Sequence, residues 1–224
     1  MELSYEVIYS DGKTLSISVE RDRSVVVRAP SHATEQQVQK AVEKKKLWIY
    51  QKLRHPQKYH VEVPKKEFVS GESILYLGKQ YRLEVVDEEI DGVVFRGKFY
   101  IARKDQPQAA ALFRAWYEQK AREKITPRAK VMAQNLGVAY NKILISDLKY
   151  RWGSCTLRDN LNFNWRLIKA PMRVIEYVVA HELAHLIEPN HTPRFWNIVS
   201  VQVPRYKEAK KWLREQGHEL EVDF

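Results

Sequence analysis

The segment from His181 to His191, with the sequence HELAHLIEPNH, limits this chain more than any other stretch. Its first five residues are H-E-x-x-H, and a third histidine follows six residues after the second. On a helix, His181 and His185 stand one turn apart on one face, so both imidazoles can reach a single ion. Glu182 is rotated about 100° from His181, which directs its carboxylate to a water on the metal rather than to the metal. Neutral nitrogen ligands, an open coordination position and a base for the water are what a zinc hydrolase requires. The plain alternative is a pair of structural histidines. Three neighbouring features argue against it. Val174 to Ala180 form an apolar run that buries the helix, so two histidines at its end need partners. Pro189 stops the helix, and Asn190 tolerates left-handed turn geometry. The chain can then fold back and bring His191 to the ion.

Zinc helices of this kind differ in their third ligand. The spacing H-E-x-x-H-x5-H is also that of the metzincins. Here, however, Glu188 occupies their glycine position and no methionine follows His191. A gluzincin would draw a glutamate from a later helix, which Glu208 or Glu215 could supply. His191 is nearer and is the better ligand type, so it ranks first and Glu208 second. Glu188 is expected in solvent or behind a ligand.

With 44% hydrophobic residues in 224, the chain can bury a substantial core as one large domain or two small ones. Residues 1–20 lack a basic start followed by an apolar run, and no apolar stretch approaches 18 residues, which argues against secretion and membrane spanning. A single cysteine, Cys155, excludes an internal disulfide and fits a reducing cytoplasm. The net charge of +10 is uneven: residues 36–66 carry a local +7 and residues 112–173 a local +9. Such an excess can attract nucleic acid, although a solvated face is the commoner meaning.

The first hundred residues read mostly as strands. Leu3–Tyr9 and Thr14–Glu20 flank Asp11-Gly12, a hairpin signal, and Ser24–Arg28 follows. A helix capped within Ser31–Thr34 runs to about Leu53, with Val38, Val42, Ile49 and Leu53 on one side and His55-Pro56 at its end. Trp48 is expected to pack on the strands. Two hairpins follow, turning at Gly78-Lys79 and Gly97-Lys98. His32, His55 and His60 stand alone as surface or packing residues. From Gln108 to about Asn135 the chain reads as an alanine-rich helix that Pro127 should kink or break and Gly137 should cap. Lys142–Ser146 and Leu161–Leu167 read as strands, and Pro171 opens the helix of His181. Thr192 and Pro193 start another helix, and a last one spans about Pro204 to Gln216. The fold class is therefore α+β. A β-rich region with one basic helix spans 1–105, and a helical metallopeptidase region with a small sheet spans 106–224. Asn162–Arg166 is the strand whose edge could hold a peptide by strand addition.

Several blocks together resemble the YgjP-like family of predicted zinc metallopeptidases, itself distantly similar to the SprT-like and WLM proteases. These are Arg151-Trp152-Gly153-Ser154-Cys155, Leu161 to Leu167, Tyr177 to His185, Asn190-His191 with Phe195-Trp196, and Trp212-Leu213. The resemblance implies a compact α+β metal-dependent hydrolase with His181, His185 and His191 as ligands, and names no substrate.

By that logic Zn²⁺ lowers the pKa of its water towards about 7. Glu182 takes the proton and later returns it to the leaving amine. Tyr206 and Arg151 are the candidates to stabilise the oxyanion. Cys155 reads as a buried thiol in a turn, and Trp152, Trp165 and Trp196 as walls of the site. The expected function is hydrolysis of peptide bonds in a peptide or protein. Alternatives are hydrolysis of another amide or ester, or action on DNA- or RNA-bound partners through the basic stretches. A silent zinc scaffold would have no need of Glu182.

Overall fold

The computed structural model describes residues 3–12, 14–19, 24–53, 66–148 and 151–221. These form two compact units, 1–63 and 64–224. The His55-Pro56 stop and His60 fall outside the described residues.

In the first unit, β1 (Glu6–Ser10), β2 (Ser16–Val19) and β3 (Val25–Pro30) make one sheet with β3 in the centre. β1 runs parallel to β3 and β2 antiparallel to it, so the hairpin expected around Asp11-Gly12 is absent. β3 carries the most apolar sequence, with Val25, Val26, Val27 and Ala29 all buried, and the central position shields it on both edges. α1 (Glu35–Leu53) covers this sheet through Val38, Val42 and Ile49, and Trp48 packs at the margin of the same core. Its start is a reciprocal capping box. The Thr34 amide donates to Gln37 Oε1 at 2.9 Å, and the Gln37 amide donates to Thr34 Oγ1 at 3.3 Å.

The second unit begins with a four-stranded sheet in the order β4 (Ser73–Tyr76), β5 (Lys79–Val86), β7 (Phe99–Ala102), β6 (Val94–Phe95). The first hairpin turns on Leu77 and Gly78, with φ of 49° and 77°, one residue earlier than the sequence suggests. Two consecutive positive φ values are what a two-residue hairpin turn demands. Tyr76, Phe95, Phe99, Phe113 and Trp116 interlock at ring distances of 4.9–6.2 Å, tying this sheet to α2 (Ala109–Leu136). The sheet therefore shares one core with the helices after it. The boundary between the two compact units falls at 63/64.

α2 passes through Pro127 without a break in its assigned span. Ile125 and Ala129, on either side of the proline, are fully buried, and this packing outweighs the roughly 3 kcal/mol an interior proline costs. Gly137, at φ 66°, ends the helix by donating to the carbonyls of Ala133 and Gln134. A three-stranded sheet follows in the order β8 (Lys142–Ser146), β10 (Asn160–Asn164), β9 (Gly153–Cys155). β10 is parallel to β8 and antiparallel to β9, so the strand expected to offer a free edge is central, and β8 and β9 are the edges. It also stops sooner than its alternation suggests, because Trp165–Lys169 turn into a 3-10 helix.

The β4–β5 turn anchors the next helix. Leu77 and Gly78 donate backbone N–H groups to the carbonyls of Ile168 and Lys169, at 3.0 and 2.7 Å. A Cβ on Gly78 would lie 2.6 Å from Pro171, the N-cap of α3 (Met172–Ala184). α4 (Pro193–Gln202) starts as its sequence suggests, with Thr192 Oγ1 accepting from the Phe195 amide at 3.3 Å. α5 (Tyr206–Leu220) extends four residues past its expected end. No helix among the described residues is long and apolar enough to cross a membrane. In the basic stretch 112–173, Arg114, Lys120, Arg128 and Arg166 are paired with acids.

Candidate metal centre

α3 is buried along nearly its whole length, from Val174 to Ala184, which fixes the pose of the residues at its end. Regular helix stops at Ala184, five residues before Pro189. His185 is the C-cap and keeps helical dihedrals (φ −65°, ψ −19°), so the one-turn relation of His181 and His185 survives. The chain then leaves through short hydrogen bonds from Leu186 to Leu183 and from Ile187 and Glu188 to Ala184. Among the described residues Asn190 is not one of those with positive φ, so the expected left-handed geometry is not used there. The tight Thr192 to Asn190 backbone bond of 2.8 Å makes the reversal instead.

That reversal brings the three histidines together. Their rings lie 4.9 Å apart pairwise, and one nitrogen from each falls within 4.8 Å of the others. His181 Nε2 and His191 Nε2 are 3.1 Å apart. Two nitrogens at Zn–N distances of about 2.0–2.1 Å in a tetrahedron stand roughly 3.3 Å apart, so this donor set fits one ion closely. Phe195, fully buried, supports all three rings at 4.6–4.9 Å. His185 donates ring N–H to the backbone carbonyls of Glu188 and Pro189, leaving its other nitrogen for a ligand. Glu188 thus acts through its backbone, and its side chain accepts only a long bond from the Asn190 amide. His181 Nδ1 is buried and has no protein partner.

Electrostatics keep the donors in their ligand form. Burial, then the neighbouring His185 and His191 and the Lys210 ammonium, push His181 down to about 3. Burial and His191 also lower His185. Both are therefore neutral near pH 7, as metal binding requires. Glu182, only 5% exposed, behaves oppositely. Burial raises its carboxyl to about 8, against the Arg151 guanidinium and a hydrogen bond from the Cys155 backbone N–H. A cation at the histidines would act in the same direction as Arg151 and favour the carboxylate.

Glu182 lies tight against β9. A Cβ on Gly153 would be 2.6 Å from its Oε1, 2.7 Å from Cγ and 2.9 Å from Cδ. The glycine of the Arg-Trp-Gly-Ser-Cys block is therefore the space that Glu182 fills. An isolated glycine in a strand is a sequence signal of such close approach. Phe195 is a further support, through its contacts with all three histidine rings.

The remaining candidates divide. Tyr206 stacks between Trp196 (5.4 Å, 14°) and Tyr177 (6.4 Å, 22°), and these rings touch His191 and His181. Arg151 is exposed, with its charge felt at Glu182. Glu208 is held by Nε and Nη2 of Arg205, at 2.8 and 2.7 Å, and Glu215 lies by Arg214; neither belongs to the histidine cluster. Cys155 sits in β9 rather than a turn. Its thiol is raised by burial and by Glu182, and it also stands outside the cluster. Trp196 walls the site. Trp165 is instead buried against Tyr117 at 5.9 Å, beneath Arg166 and Lys169, and Trp152 packs at the edge of the core.

A helix presenting His181 and His185 and a return carrying His191 make a cluster that could hold a metal ion, and a strand closes over the neighbouring Glu182. The sequence matches the family description "YgjP-like, metallopeptidase domain" over residues 13–216, and the chain belongs to the YgjP-like family. Membership implies a metal ion, which the three histidines could bind. Among solved structures, the crystal structure of the metallopeptidase zymogen of Pyrococcus abyssi abylysin is similar. It is 20% identical, covers 42% of this chain and 95% of that one, and has a TM-score of 0.37. No curated protein matches the sequence.

Proposed function

We propose that this protein hydrolyses peptide bonds with zinc held by His181, His185 and His191 and with Glu182 as general base. The carrying observation is the gathering of three imidazole donors within 4.8 Å, next to a buried carboxylate on the helix that carries two of them. Zn²⁺ bound there would polarise the scissile carbonyl and lower the pKa of a water to about 7. Glu182 then accepts the proton of the attacking water and delivers it to the leaving amine. Gly153 and the Cys155 N–H hold that carboxylate in one pose, which removes the need to order it during reaction. The developing oxyanion calls for a donor from the protein; Arg151 and Tyr206 are the candidates.

An extended peptide has a natural seat along β9. Its inner edge pairs with β10, while the outer edge has no strand neighbour among the described residues. With the Cys155 N–H given to Glu182, strand addition there would pair through the Gly153 backbone and bring a substrate past Glu182.

Glu182→Gln tests the reading. It keeps size and a polar head but accepts no proton, so zinc content and folding should persist while hydrolysis of an unfolded protein substrate drops about 10²–10⁴-fold. Full turnover in a zinc-loaded Glu182→Gln protein refutes the general-base role.

A further inference from the structure

Asn164 is fully buried at the point where β10 gives way to the 3-10 turn, and its entire side-chain amide is engaged. Oδ1 accepts from the Arg166 amide at 3.0 Å. Nδ2 donates to the carbonyls of Leu148 at 2.8 Å and Arg151 at 3.3 Å. Its backbone N–H donates to the Trp152 carbonyl at 2.9 Å. The orientation of the amide follows from these partners, because a backbone N–H must meet oxygen and two carbonyls must meet NH₂. Asn164 therefore joins both ends of the connection between β8 and β9. Arg166, capped by Asn164, also grips Asp147 at the start of that connection.

The far end of this connection leads directly to the catalytic carboxylate. One residue beyond Trp152 is Gly153, which abuts Glu182, and Cys155 donates its N–H to it. β9 is three residues long, has one neighbour, and ends its pairing at Gly153 opposite Phe163. A strand so short frays from its end, and the bonds that stop fraying here are those of Asn164 to Arg151 and Trp152. None of them touches His181, His185 or His191.

The geometry points to Asn164 as a positioning residue: it sets the height of the Arg151–Cys155 segment above Glu182, and so the alignment of the base. The effect on turnover rests on the peptidase reading, whereas the effect on the segment does not.

Two variants and one wild-type measurement test this. Asn164→Ala removes every side-chain bond. Asn164→Asp keeps the size and the Arg166 cap but sets oxygen against the two carbonyls. In both, zinc stoichiometry should equal wild type, while kcat falls about 10–100-fold with KM changed less than threefold, the effect of a reacting group displaced by about 1 Å. Combined with Gly153→Ala, either variant should lose little more activity than the worse single substitution, because both displace the same segment from Glu182. Multiplicative losses in the double variant, or unchanged kcat in a folded single variant, overturn the assignment. In the wild-type protein, whether or not the variants fold, the Cys155 amide should exchange hydrogen much more slowly than the amide of Leu157 at the exposed tip of the adjacent turn. Equal exchange would mean that Asn164 restrains nothing there. Absence of peptide hydrolysis in wild type would count against the peptidase reading and leave the exchange result standing.

Discussion

Gly153→Ala isolates the contact between β9 and Glu182. The glycine does not have positive φ, so alanine brings no backbone strain. The cost is steric. The new methyl would start 2.6 Å from Glu182 Oε1 and 2.7 Å from Cγ, where ordinary contact begins at 3.4 Å, so something must move about 0.8 Å. The carboxylate cannot swing freely, being 5% exposed and bonded to the Cys155 N–H. Overpacking of this kind costs about 1–3 kcal/mol, reduced by about 0.4–1 kcal/mol because alanine restricts the unfolded chain. The net loss is about 0–2.6 kcal/mol, and at about 2–4 °C per kcal/mol for a protein of this size Tm should fall by roughly 4 °C and by no more than about 10 °C. A displacement close to 1 Å should lower kcat about 10–100-fold. The decisive comparison is the same substitution in a Glu182→Ala background, where all three clashing atoms are gone. There Gly153→Ala should leave Tm nearly unchanged or slightly raised. Thermal melts of the four proteins, with zinc content measured on each, complete the cycle. Equal Tm losses in both backgrounds would refute the contact, and full turnover in Gly153→Ala would refute its role in placing the base.

Two further outcomes follow from the same site. In metal-free protein Glu182 titrates at about 8, against an ordinary 4.5 once unfolded, so the folded state holds the extra proton between these values. Its contribution is fully present below about pH 4.5 and declines as pH rises to about 8, by an order of 3–5 kcal/mol. His181, lowered to about 3, adds stability that is lost as pH falls from about 6.5. Subtracting the Glu182→Gln curve, measured in chelator by urea titration, removes that opposing slope; a flat difference from pH 4.5 to 8 would contradict the burial of Glu182. His191→Ala should weaken zinc binding by more than the ~100-fold that loss of a supporting residue costs. Undiminished zinc after dialysis would remove His191 from the site and require Glu208 to leave Arg205.

What the residues determined alone is what neighbours in sequence decide. Helical geometry places His181, Glu182 and His185 whatever surrounds them. The Thr34 and Thr192 caps, the αL end at Gly137 and the turn at Gly97 depend on local dihedrals and hydrogen bonds within a few residues. Strand order is a different problem, because any exposed edge can pair with any other and only burial of the whole selects one arrangement. Thus β3 displaces the β1–β2 hairpin, and β10 takes the centre of its sheet and leaves the edges to β8 and β9. The residues that aim Glu182 are likewise set by tertiary contact. Gly153 lies twenty-nine positions before it and Asn164 eighteen, and neither separation follows a local period. Helix periodicity could put a carboxylate beside two histidines. Only the packing of β9 on α3, held by a buried amide, decided where that carboxylate points.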